Sequence, residues 1–235
     1  MNGDPAQALE NTDGNHAGEA EPVTELPVHQ ELAVTPPEAS ASGQPTFYIP
    51  STANGQLRQA EILSNVYQHR ITPETLNDPN GAELDRIDHL LAIILSQDCD
   101  LEQDFKRREA GANLSSLDPK LLPTILLCEV STDGAIVAAI RSQGDPGRQQ
   151  FYQNKLERYQ FLRAVEARDD ALGSGIEAMG IDFKRYFTVP TAELYAQLAG
   201  QCRRRCRLAP QYLEHFSMRF SNHLSRIGLP RNHHE

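Results

Sequence analysis

Leu90-Leu91-Ala92-Ile93-Ile94-Leu95-Ser96-Gln97-Asp98-Cys99-Asp100-Leu101 joins an unbroken apolar run to an abrupt polar cluster. Continuous apolar character over His89–Ser96 predicts a central strand covered on both faces. A buried strand that ends in polar residues delivers them to the rim of a sheet, where binding and catalytic groups are often found. Asp100-Leu101-Glu102-Gln103 then has capping-box spacing, so a short helix is expected to run to Glu109 and stop at Gly111.

Further elements follow outward from this stretch. Glu61–Tyr67 and Thr124–Val130 read as strands, with Thr72–Asp88 as a loop between the first and the central one. Asp133-Gly134 is a turn signal, and Ala135–Ile140 is apolar without a decisive period. Gly147–Lys155 suggests a polar helical turn, while Tyr159–Val165 suits either strand or helix. Ile181, Phe183, Arg185, Phe187 and Val189 alternate with polar positions, the period of a half-buried strand that Pro190 stops. Thr191–Ala199 reads as a helix ending at Gly200. The last helix is the clearest. Pro210 suits a first turn, and Leu213, Phe216, Phe220, Leu224 and Ile227 form one apolar stripe. Gly228 and Pro230 then end it. Burying each stripe residue is worth roughly 1.5–3 kcal/mol before entropy. The expected fold is α+β: a curved, mostly antiparallel sheet or small β-barrel, closed by the C-terminal amphipathic helix.

Residues 1–46 differ from the rest. They hold eight acidic residues, no Lys or Arg, six prolines and no aromatic residue. Such a segment cannot offset roughly 1–2 kcal/mol of backbone entropy per residue, so it is expected to be a disordered acidic tail. No basic start precedes an apolar block, so it does not read as a secretory signal. Residues 47–235 then form a single α+β domain. No apolar run approaches a membrane span, and four cysteines without an export signal suit a reducing cytoplasm. The net charge of −10 is unevenly spread: −8 over residues 1–46, −7 over 47–181 and +5 over 182–235. An acidic partner would land on the C-terminal region, or the chain's own tail could.

Cys99 is the candidate nucleophile, with Asp98 and Asp100 as candidate catalytic acids. Both neighbours of the thiol are acids, the wrong surroundings for a thiolate, so a reactive Cys99 needs an added cation. A plainer reading has Ser96 and Asp100 satisfying orphan amides while Cys99 packs as a small apolar group. A third has Ser96, Asp98 and Asp100 binding a ligand. Arg203, Arg204, Arg219 and Arg226 form the candidate phosphate-binding set, through charge and guanidinium forks. A solvated face or internal salt bridges would use the same residues. Cys202 and Cys206 lie four apart, but no second pair supplies zinc spacing, so no metal is expected. No Walker loop, Rossmann fingerprint or Gly-x-Ser-x-Gly elbow is present, and no cofactor is expected.

Ile94–Leu101, Leu122–Val130, Ile181–Pro190 and Arg226–Pro230 together resemble a group of uncharacterised bacterial proteins. That group carries a strand, a Ser/Thr-x-x-Cys-Asp segment and a second apolar strand. The resemblance covers about residues 60–230 and implies bacterial origin without an established activity. More distantly, the strand order is similar to MazF/PemK-type toxins, small β-barrels that cut RNA. Asp88-His89 stands where that family has Arg-Pro, and only Ser96 carries over as a ligand contact. The resulting expectation is a cytoplasmic bacterial binding or accessory protein with a stress or phage-defence role, engaging an acidic partner or nucleic acid. The enzyme alternative is a hydrolase or MazF-like ribonuclease acting at the Ser96–Asp100 rim.

Overall fold

A computed structural model describes residues 46–78, 81, 83–111, 118–144 and 147–225, all within one compact unit, Gln44–Glu235. The expected tail, apart from Thr46, lies outside the described residues, as do Arg226, Ile227, Gly228 and Pro230.

Seven strands form one antiparallel sheet: β1 Tyr48–Pro50, β2 Glu61–Ile71, β3 Leu84–Ile94, β4 Thr124–Thr132, β5 Tyr159–Leu162, β6 Met179–Pro190 and β7 Arg203–Leu208. Their spatial order is β1-β7-β2-β3-β4-β6-β5. The helices are α1 Asp98–Glu109, α2 Asp133–Ser142, α3 Arg148–Tyr152, α4 Thr191–Ala199 and α5 Pro210–Leu224.

The sheet is open, not the closed barrel of the second expectation: among the described residues no strand pairing joins β1 to β5. It is nevertheless strongly curled. Flat strands about 4.8 Å apart would hold the outermost two about 29 Å from each other. Yet the Tyr48 hydroxyl on β1 donates to the carbonyl of Arg163, one residue beyond β5, at 2.7 Å.

Curling divides the core. The inner cluster takes side chains from all seven strands, including Tyr48, Ile62, Ile93, Cys128, Leu162, Phe183 and Cys206, and Phe216 and Phe220 of α5 join them. The outer cluster places Leu63, Ile94, Leu127 and Val189 beneath Leu101 of α1 and Leu194 of α4. β3 therefore has both faces covered at Ile93 and Ile94, as its apolar run requires. Of the expected α5 stripe, Phe216 and Phe220 are buried, Leu213 is half-buried and Leu224 is exposed.

Several elements depart from the sequence reading. Asp133-Gly134 opens α2 instead of making a turn, because Thr132 caps the helix by accepting from the Ala135 amide at 3.3 Å. The loop expected over Thr72–Asp88 ends early, since β3 begins at Leu84 and pairs with β2 from Ile71 onward. That outer part of the hairpin stands as a two-stranded ribbon: β7 pairs with β2 only over Glu61–Ser64, and β4 with β3 only over Ala92–Ile94. Gln197 of α4 substitutes for the missing neighbour, binding both the amide and the carbonyl of Tyr67 at 3.0 and 2.8 Å. The capping box at Asp100 does not form, because α1 starts three residues earlier with Gln97 as its N-cap.

Candidate functional site

The Ser96–Asp100 segment does lie at the end of β3, where the chain turns into α1. Its polar groups are largely committed to the fold. The Ser96 hydroxyl accepts from the Leu126 amide at 2.9 Å, holding the rim against β4. Asp98 takes a guanidinium fork from Arg58, at 3.1 Å to Nε and 2.9 Å to a terminal nitrogen, and the Gln59 amide at 2.7 Å. The fork holds the Arg58 guanidinium above its ordinary pKa. The cation beside the rim therefore comes from the segment before β2. The sequence reading required such a cation but did not find Arg58. Arg58 sits in a short polar stretch with no motif, and only the fold brings it to Asp98.

Cys99 is exposed, and Cys128, Cys202 and Cys206 are buried. The Cys99 thiol faces two acceptors, Gln97 Oε1 at 3.7 Å and Asp100 Oδ1 at 3.6 Å. Neither can act as the cationic partner that thiolate chemistry needs. Burial pushes the thiols of Cys202 and Cys206 up to about 12, and that of Cys128 upward as well. Cys202 and Cys206 do not share a helix face. Cys206 lies in β7 and points into the inner cluster, while Cys202 belongs to the outer one.

The C-terminal arginines do not gather into one array. Arg203 is exposed and donates to the carbonyls of Gly200 and Cys202. Arg204 is buried and forks onto Glu61 at 2.6 and 2.8 Å. Arg219 on α5 donates to the carbonyls of Asn154, Leu156 and Tyr159 at 2.5–2.6 Å, and burial lowers its pKa. Arg204 lies across from Leu63 on the outer side of the sheet, whereas α5 packs on the inner side. Arg226 lies outside the described residues.

What the rim does border is a groove of about 550 Å³ between Ser96–Asp100 and α5. Leu122, Leu126, Phe220 and Leu224 give it apolar walls, and Ser217 and Ser221 add hydroxyls. The α5 side of this groove was legible as stripe residues, but their role as a wall was not.

His89, at the place where the toxin family has proline, is 7% exposed. It stacks on Phe187 with ring centroids 3.9 Å apart, and its Nδ1 lies 3.8 Å from Glu129 Oε2. No family model, curated protein or solved structure matches this chain.

Proposed function

We propose that this chain is a non-catalytic binding or accessory protein whose groove between Ser96–Asp100 and α5 receives a segment of a partner protein. One observation carries the reading. The rim's Ser96 hydroxyl and Asp98 carboxylate are engaged by internal hydrogen bonds, while the apolar wall beside them, ending at the 53%-exposed Leu224, stays open. Groups held by the fold in this way are poorly placed for catalysis, and a concave apolar surface with a few polar points suits recognition. The exposed acid Asp100 at the groove's edge favours a segment that pairs apolar anchors with a Lys or Arg.

Selection of short random peptides on the full chain tests this, with Ser221→Arg as counter-selection. Ser221 is exposed, so the substitution blocks the groove without disturbing the core. The expected peptides carry two apolar residues and a base, lose binding to Ser221→Arg, and slow alkylation of Cys99. Enrichment that ignores Ser221→Arg would reject the groove. RNA cleavage by the intact chain, or RNA binding that weakens steeply with salt, would replace this reading with the nucleic-acid one.

A further inference from the structure

A second cleft, of about 290 Å³, lies on the other side of Arg58, against β1, the loop that follows it, and β7. Its acceptors are already saturated. The Glu61 carboxylate takes two donors from Arg204 and the Arg58 amide at 3.0 Å. Arg204 turns its remaining donors to the carbonyls of Gly55 and Gln56 at 2.9 and 2.8 Å.

The donors tell the opposite story. Ser51 Oγ and Gln56 Nε2 are buried at the cleft with no hydrogen-bond partner among the described residues. Arg207 is half-buried there, and among the described residues it makes no ion pair or side-chain hydrogen bond. Arg58 uses Nε and one terminal nitrogen on Asp98, which leaves its other terminal nitrogen available. Three guanidinium groups thus meet two carboxylates, Glu61 and Asp98, and one positive charge is unmatched. A buried donor left without an acceptor is destabilising, so the site is built to receive an acceptor.

We infer that this cleft binds a tetrahedral oxyanion, phosphate or a small phosphate ester, with Arg207 supplying the charge and Ser51 and Gln56 the neutral donors. Donors arrive from three separate chain segments, the β1 loop, the residues before β2, and β7. Convergence of that kind suits a tetrahedral group better than a planar carboxylate, which one fork satisfies. The size sets the class further. At ~30 Å³ per water, the cleft holds about ten water-sized groups, enough for phosphate and a short substituent. The site is separate from the groove, and its binding does not depend on the groove's occupant.

Thermal unfolding of the full chain against inorganic phosphate, at constant ionic strength set with sodium chloride, tests the inference. A ligand that binds only the folded state raises the melting temperature with the logarithm of its concentration. Phosphate and methyl phosphate should both raise it, and acetate should not. Arg207→Gln should melt like the wild type without phosphate and bind phosphate at least about tenfold more weakly. Ser51→Ala should show a smaller loss, and it carries the test if Arg207→Gln does not fold. Equal phosphate responses in wild type and both variants, or an equal response to acetate, would overturn the assignment.

Discussion

Arg203, Arg204 and Arg205 are consecutive in the chain and finish in three different surroundings. A bulge separates them. Ile62 of β2 pairs with Cys206 and the next residue, Leu63, pairs with Arg204, so Arg205 is the extra residue of β7. Cys206 therefore points inward and Arg204 outward. Arg205 reaches Asp170 through a fork of two 2.7 Å bonds. Read as a run, these arginines suggest a surface for phosphate, but two of them are buried partners of buried acids. Removing one member of such a pair leaves a stranded charge, which typically costs about 3–5 kcal/mol, whereas replacing both with apolar residues of similar size can be close to neutral. Arg204→Met and Glu61→Leu should therefore each destabilise the chain by about 3–5 kcal/mol in urea unfolding, and the double variant by much less than their sum. Strict additivity would show that the pair is not the tie the geometry describes.

Between elements, α2 packs tightly onto β6 at Gly180. A Cβ at Gly180 would sit 2.5 Å from Ile136 Cγ1 and 2.8 Å from Phe151 Cζ. The glycine serves proximity: its absent side chain lets α2 and α3 lie on the strand. Gly180→Ala should cost about 1–3 kcal/mol as overpacking, and Gly180→Ala combined with Ile136→Ala should cost less than the two changes summed. Chemical unfolding of the three variants decides it. This contact also shows where sequence reading stops. β3, β4, β6, α4 and α5 were legible because each carries an apolar period or run that one or two neighbours bury, whereas α1 was legible only from the polar start signal after β3, and its N-cap is Gln97, not Asp100. α2 was not, because its Asp133-Gly134 start has turn chemistry and only the Thr132 cap reverses that preference. β7 was not, because Arg-Arg-Arg-Cys-Arg-Leu shows no apolar alternation, and its burial depends on acids from distant segments. The same limit applies to the site. The rim was visible as a change from apolar to polar within one segment. Arg58 beside Asp98, and Ser51, Gln56 and Arg207 around a single cleft, meet only through the fold.

Across the whole molecule, buried titratable groups set the pH range in which the chain is most stable. His89 is faced by Glu129 and Asp88, which favour its charged form, and by Arg185, which opposes it. Burial outweighs them and lowers its pKa. A lowered histidine contributes stability that is present above the unfolded value of about 6.5 and is lost as pH falls through the folded one. The Arg205 fork comes first among the causes that hold Asp170 far below the ordinary carboxylate range, followed by the Leu172 amide and the Ser174 hydroxyl. Its contribution is likewise present above about 3.9 and lost on further acidification. The buried thiols act in the other direction. With Cys202 and Cys206 raised to about 12, the unfolded chain ionises first. Stability present below the unfolded thiol value of about 8.5 is then lost as pH rises through the folded one. Urea midpoints should therefore be highest between about pH 6.5 and 8.5, fall in two separate steps on the acid side, and fall again in alkali. His89→Phe keeps an aromatic ring stacked on Phe187 while removing the titration, so it should abolish the first acid step and leave the second. Midpoints that rise as pH drops from 7 to 5, or a first step that survives His89→Phe, would mean that His89 is not the buried neutral group its stack with Phe187 implies.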